Sequence, residues 1–273
     1  MKKILSLLPV LLLTSCIIYP QPKVVIDDFS YGVFLGIEAE DKDKISKYET
    51  VVIDAQYFNG SDITSMKRNG QTVYSYLNVG SIEDFREYYD AFYDITFAEY
   101  ENWDEERWVN VSQKKWQDFI LYDLSDELLE KGVDGFFIDN VDVYYYSDEN
   151  NDIYNGLCTI LRGLKKKTYL SINGGDIFVT RYLKENKNID DVMDGVNQET
   201  IFSKINWDDE TFGENDKEET QYFKQYVETV AKEKKDVYLL EYTTDEKVIA
   251  KIKDYCLKHN FKYYISSTLE LTI

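Results

Sequence analysis

Three strand-like runs in this chain end on a carboxylate, the first of them wholly apolar. Phe136-Phe137-Ile138 runs into Asp139-Asn140 and then Asp142, Val196-Asn197-Gln198 into Glu199, and Val237-Tyr238-Leu239-Leu240 into Glu241. Runs of this kind read as strands buried on both faces, and acids at the C-terminal tips of neighbouring parallel strands face one common space. Two carboxyl groups on either side of one bond can divide the hydrolysis of an acetal. One gives a proton to the leaving oxygen, and the other attacks the anomeric carbon or activates water. This chemistry needs neither metal nor cofactor, and none is expected. It suits a chain with 51 Asp and Glu but a single histidine. One histidine argues against a Ser-His-Asp triad and against zinc sites built on two or three histidines. His259 itself reads as a helix-end residue.

The elements that must position these acids alternate along the chain. Strands are expected over 31–37, 50–58, 72–79, 133–139, 168–173, 193–199, 237–242 and 261–267. The clearest helix spans 112–131: Ser112 is the expected N-cap, Trp116, Phe119, Ile120, Leu124 and Leu128 keep one apolar face, and Gly132 is the stop. Further helices are expected over 151–162, 176–185, 218–234 and 245–258, and a flexible acidic loop over 207–219. Eight strands alternating with helices imply parallel pairing and right-handed crossovers, the α/β pattern of a single-domain (β/α)8 TIM barrel. A doubly wound sheet is the other arrangement considered, but no glycine-rich phosphate loop follows the first strand. The insertion at 81–110 carries Tyr88, Tyr89, Phe92, Tyr93, Phe97, Tyr100, Trp103 and Trp108. At the barrel mouth, rings such as Trp108 and Tyr144 could stack on a sugar or simply pack the rim.

Residues 1–15 read as a signal peptide: Met1-Lys2-Lys3 precedes an apolar stretch of ten residues, Ile4 to Leu13, too short to span a bilayer. Leu13-Thr14-Ser15-Cys16 resembles a bacterial lipobox, which implies cleavage before Cys16, lipidation of its sulfur and an extracytoplasmic, membrane-anchored protein. Residues 16–28 would then be a tether and 29–273 the barrel. Cys158 and Cys256 fall in helix-like segments and are expected as buried free thiols. The formal net charge is −20. Such a field repels nucleic acid and anionic lipid and attracts cations, so no nucleic-acid partner is expected, and no membrane contact beyond the lipid anchor.

Several segments together resemble glycoside hydrolase family 114, the endo-α-1,4-polygalactosaminidases: YSYLNVGS at 74–81, ENWDEERWVNV at 101–111, GVDGFFIDNVDVY at 132–144, NQE at 197–199 and LLEYT at 239–243. The resemblance implies a (β/α)8 glycosidase barrel with a catalytic aspartate at Asp139 and a catalytic glutamate at Glu199. Asp139 is assigned as nucleophile or base and Glu199 as proton donor, with the reverse division open. Glu241 would be a cleft acid contacting substrate. Asp54, Asn78, Asn140, Asp142, Tyr144, Asn173 and Trp108 are candidates for substrate binding or for orienting the pair. One departure stands out: after the fifth strand a lysine-asparagine pair is expected, and Ser171-Ile172-Asn173 keeps only the asparagine. The implied partner is a polymer of α-1,4-galactosamine, cationic through its free amino groups, cleaved by a monomer. A non-catalytic carbohydrate-binding surface lipoprotein, a solute receptor and a barrel of unrelated activity are the competing classes. The receptor would need two lobes, whereas the chain shows one continuous βα run.

Overall fold

The computed structural model describes residues 28–101 and 103–273; the signal, lipobox and tether readings, Cys16 included, lie outside them except for Asp28. Eight parallel strands form one sheet in chain order: β1 Gly32–Phe34, β2 Thr50–Ile53, β3 Thr72–Asn78, β4 Gly135–Asp139, β5 Tyr169–Asn173, β6 Gly195–Glu199, β7 Asp236–Tyr242 and β8 Lys262–Ser266. The sheet curls into a nearly closed barrel with helices between the strands. At the seam, Phe34 of β1 and Tyr264 of β8 bring their ring centroids within 5.0 Å. All eight expected strands are present; seven are shorter than their expected ranges, and β7 begins one residue earlier than expected, at Asp236.

Side-chain alternation sorts the core into two layers. Val33, Val52, Tyr74, Tyr76, Phe137, Tyr238, Leu240 and Tyr242 fill the barrel interior. Phe34, Val51, Ile53, Val73, Leu77, Phe136, Ile138, Leu170, Ile172, Val196, Val237 and Leu239 point outward and pack under the helices. Tyrosines make the interior floor: Tyr74 and Tyr169 stack at 4.8 Å, and the Tyr169 hydroxyl donates to Asp236 at 2.8 Å. Above this floor the inward positions become polar at the C-terminal strand ends.

The helix expected over 112–131 starts at Lys114. Gln113 precedes it, and the Ser112 hydroxyl donates to Asn110 at 2.6 Å instead of capping. Its middle, Phe119–Leu124, widens into π geometry before α-helix resumes over Ser125–Lys131, and Gly132 ends it with φ +100°. The other expected helices appear as Asn151–Lys165, Asp176–Asn186, Lys217–Lys232 and Glu246–His259. Asp216 and Asp245 cap the last two through their side chains. His259 is the last residue of its helix, and Cys158 and Cys256 are buried free thiols.

The acidic run at 207–219 is not a plain loop. Ser203–Asn206 and Thr211–Glu214 pair as an antiparallel hairpin over the mouth. The 81–110 insertion likewise folds into its own sheet, with Glu106–Val109 between Ser81–Glu83 and Thr96–Glu99. This sheet can sit close because Gly80 has no Cβ: one there would stand 1.7 Å from the Asn140 carbonyl oxygen.

Candidate active site

Inward alternation brings Asp139 to the tip of β4, Asn173 to the tip of β5 and Glu199 to the tip of β6, all on one cavity of about 630 Å³. A single nitrogen joins the two acids. Asn173 Nδ2 donates to Asp139 Oδ1 at 2.9 Å and to Glu199 Oε1 at 2.7 Å. The amide is held from behind. Asn197 Nδ2 donates to Asn173 Oδ1 at 2.7 Å, and the Tyr31 hydroxyl donates to Asn197 Oδ1 at 3.1 Å. This relay fixes which end of each amide is nitrogen. Glu199 Oε2 accepts from the Tyr242 hydroxyl at 3.0 Å.

Burial raises both acids above the ordinary carboxylate range. Glu199 is pushed up to about 7 by desolvation and then by the charge of Asp139, against the hydrogen bonds from Asn173 and Tyr242. Asp139 is also raised by desolvation, but hydrogen bonds from Asn173, the Asn140 backbone and Tyr76 act to keep it ionised. The environments thus separate an acid that holds its proton near neutrality from one more readily ionised.

The other candidates divide. Asp54, Asn140, Asp142 and Asn173 line the cavity. Asp54 accepts from Arg86 at 2.8 Å, and Arg86 also donates to Glu83 at 3.0 Å. Asn140, at φ +62°, donates to Glu106 Oε1 at 2.8 Å. The other four candidates do not line the cavity. Glu241 is fully buried on the outward side of β7, next in alternation after Val237 and Leu239, where it accepts from the Phe202 and Ser203 amides and the Ser203 hydroxyl. Trp108 is buried between Tyr100 and Tyr146, stacked at 4.4 and 4.6 Å. Tyr144 is buried, its hydroxyl accepting from Arg181 at 2.7 Å. Asn78 is buried and donates to Glu106 at 2.8 Å, so it positions that acid.

Residues not foreseen complete the wall: Tyr76, Glu83, Arg86, Glu106 and Tyr242. Glu106 is pushed up to about 7, chiefly by burial and then by the charge of Glu83, its partner across the strand pair. Tyr242 could have been found by counting alternate residues from Tyr238. Glu106 and Arg86 lie in the insertion, where no periodicity marks them. Of the insertion's rings, Phe85, Tyr100 and Trp103 reach the cavity, while Tyr88 and Phe92 pack on Phe119.

A barrel with two acids at the tips of β4 and β6, bridged at the floor of a cleft, defines a protein of the glycosidase class. The chain belongs to glycoside-hydrolase family GH114, whose family model matches residues 20–270. No curated protein sequence matches it. Among solved structures it is similar to the glycoside hydrolase domain of PelA from Pseudomonas aeruginosa, with a TM-score of 0.73 at 18% identity over 89% of this chain and 96% of that one. It is also similar to Ega3 from Aspergillus fumigatus, solved in complex with galactosamine, with a TM-score of 0.71 at 19% identity over 89% and 92%. A more distant likeness is the α-galactosidase TtGalA of Thermus thermophilus, with a TM-score of 0.57 at 9% identity over 89% of this chain and 58% of that one.

Proposed function

We propose that this glycoside hydrolase is an endo-acting enzyme that cleaves an α-1,4-linked galactosamine-containing polysaccharide with retention of anomeric configuration. The observation that carries the mechanism is the shared Asn173 nitrogen. Two oxygens held by one atom at 2.9 and 2.7 Å stand no further apart than those lengths laid end to end. That separation suits the ~5–5.5 Å of retaining pairs and is short of the ~6.5–9.5 Å that leaves room for water in inverting ones. Asp139, stabilised as the anion, is the nucleophile. Glu199, holding its proton near neutrality, is the acid and then the base.

The substrate reading rests on charge, shape and family. Among the described residues Arg86 is the only basic one lining the cavity, and it is already paired with Asp54 and Glu83. A second cavity of about 600 Å³ shares Trp103, Glu105, Trp207, Leu269 and Glu270 with the first, and no basic residue among the described ones lines it. The two form one acidic groove, as an internal cut in a cationic chain requires. The galactosamine bound by Ega3 is the sugar this groove would take. The chain would act outside the cytoplasm, as a monomer on a lipid anchor at Cys16.

Asp139→Asn and Glu199→Gln should each lower kcat by about 10²–10⁴-fold on deacetylated galactosamine polymer, the usual scale for losing a catalytic proton-transfer or nucleophilic group. On an aryl galactosaminide whose phenolate leaves without protonation, azide should restore turnover of the Glu199 variant by displacing Asp139 from the glycosyl-enzyme, giving a glycosyl azide of retained configuration. Undiminished turnover by both variants would refute the assignment. The alkaline limb of kcat/KM should fall near pH 7, where Glu199 ionises. Raising salt should raise KM, and a salt-insensitive KM would remove the electrostatic part of the reading.

A further inference from the structure

The residue after Asp139 turns the chain left-handed. Asn140 stands at φ +62°, a region that asparagine tolerates better than most residues but rarely takes unaided. The turn ends β4 at Asp139 and makes that acid a strand tip, and the Asn140 backbone N–H bonds back to the Asp139 carboxylate. The peptide joining the two residues is fixed at its oxygen, where the Val79 amide donates at 3.1 Å. At its other end it is fixed by whatever holds Asn140. The Asn140 side chain is 4% exposed and gripped at both ends of its amide. Its Nδ2 donates to the Ser81 hydroxyl at 2.6 Å and to Glu106 Oε1 at 2.8 Å, and its Oδ1 accepts from the Tyr100 hydroxyl at 3.2 Å. All three partners belong to the 81–110 insertion. Glu106 is the hub of the group, since the same Oε1 accepts from Asn78 Nδ2 at 2.8 Å and from the Ser81 hydroxyl. Asn78 stands opposite Asp139 on β3.

We propose that Glu106 is a positioning residue for the hydrolysis: it grips Asn140 in the left-handed turn and so keeps the Asn140 N–H aimed at the carboxylate of Asp139. The inference rests on the hydrolase reading, with Asp139 as nucleophile, and gives the insertion a part in the reaction separate from holding sugar. The role needs an acceptor at Oε1 and neither a charge nor a proton, which distinguishes it from that of a third catalytic acid. Both ends of the Asn140 amide are taken by protein groups, so losing the grip should lower kcat and leave KM little changed.

The test compares Glu106→Gln, Glu106→Leu and Asn140→Gly in the full chain, by steady-state kinetics on deacetylated galactosamine polymer across pH. Glutamine puts an amide oxygen where Oε1 was; leucine fills similar space and offers none. Both lack the charge, so its removal from beside Asp139 cancels between them. The other groups facing Asp139, namely Tyr76, Glu83 with Arg86 behind it, Tyr100, Asp142, Glu199 and Tyr242, are the same in both. Glu106→Leu should have a kcat roughly tenfold or more below that of Glu106→Gln, the scale of one hydrogen bond to a charged group. Its acidic limb of kcat/KM should lie about one pH unit higher, because an anion that loses an N–H donor holds a proton more tightly. Loss of stability alone would lower Tm and leave that limb in place. Asn140→Gly reaches positive φ at no steric cost but gives Glu106 nothing to grip. It should show the same loss and the same shift relative to the unmutated chain, and it decides the matter should Glu106→Leu fail to fold. A kcat as low in Glu106→Gln as in Glu106→Leu overturns the proposal. So does an unmoved acidic limb in Asn140→Gly, or a raised KM at constant kcat there. Failure of the hydrolase reading shows separately, as undiminished turnover by Asp139→Asn.

Discussion

Glu241 and Glu199 both stand near the end of a strand-like run, and a single-residue step decides between them. Inward positions of β7 are Tyr238, Leu240 and Tyr242, so Glu241 turns toward the helices, while on β6 Asn197 and Glu199 turn inward. In the interior Glu241 gathers the amides of Phe202 and Ser203 and the Ser203 hydroxyl, which itself accepts from the Tyr242 amide. It pins the start of the hairpin to the strand that carries Tyr242. Glu241→Gln exchanges one acceptor oxygen for a donor facing donors. It should cost about 1–3 kcal/mol of stability, the penalty for an unmet buried group, and leave KM unchanged. Thermal unfolding beside steady-state kinetics separates this from a substrate contact, which would raise KM at constant Tm. The parity was readable in the sequence, since an apolar Leu240 between two tyrosines marks the inner face. The tip position of an acid is a weaker guide than its alternation.

At the scale of elements, the barrel was legible because βα alternation leaves a period in the sequence, and Asp139, Asn173 and Glu199 were legible with it as the tips of consecutive strands. The insertions were not. The strands at Ser81–Glu83, Glu106–Val109 and Ser203–Asn206 are three or four residues long, too short to display a period against their acidic and aromatic surroundings. Yet these pieces bring Glu83, Arg86, Glu106, Trp103 and Trp207 to the groove. Trp103 and Trp207 come from different insertions and meet edge to face at 5.8 Å, both with substantial exposed surface at 46% and 40%. On the proposed function, rings at the junction of two acidic cavities would stack on sugar units away from the cut. Trp103→Ala should therefore raise KM on long polymer by roughly tenfold, as loss of about 1–2 kcal/mol of aromatic packing implies, and alter KM on a short oligomer little. Equal effects on both lengths would place Trp103 at the scissile bond.

Charge acts on the molecule as a whole. The full chain has a formal net charge of −20, and its barrel also buries acids where water cannot solvate them. Glu106, Asp142, Glu199 and Glu241 are each pushed up to about 7, burial being the largest cause in every case. Their ordinary values lie near 4, so between about pH 4 and 7 the folded chain holds protons that the unfolded chain has released. Stability contributed by a raised carboxyl is present below its unfolded value and is lost as pH climbs toward its folded value. Each fully effective group then removes about 1.4 kcal/mol per pH unit, or ~2–4 °C of Tm per kcal/mol for a domain of this size. Growing repulsion among surface carboxylates acts in the same direction. The two causes respond differently to salt, because screening reaches exposed charges and not the desolvation of buried ones. Tm should fall by several degrees from pH 5 to pH 7.5, and salt added at pH 7.5 should recover only part of the loss. The unrecovered part should shrink in Glu241→Gln, which removes one of the four titrations without touching the groove. A Tm that rises over this interval would mean that the interior carboxyls ionise at ordinary values, and Glu199 could not then hold its proton at neutral pH.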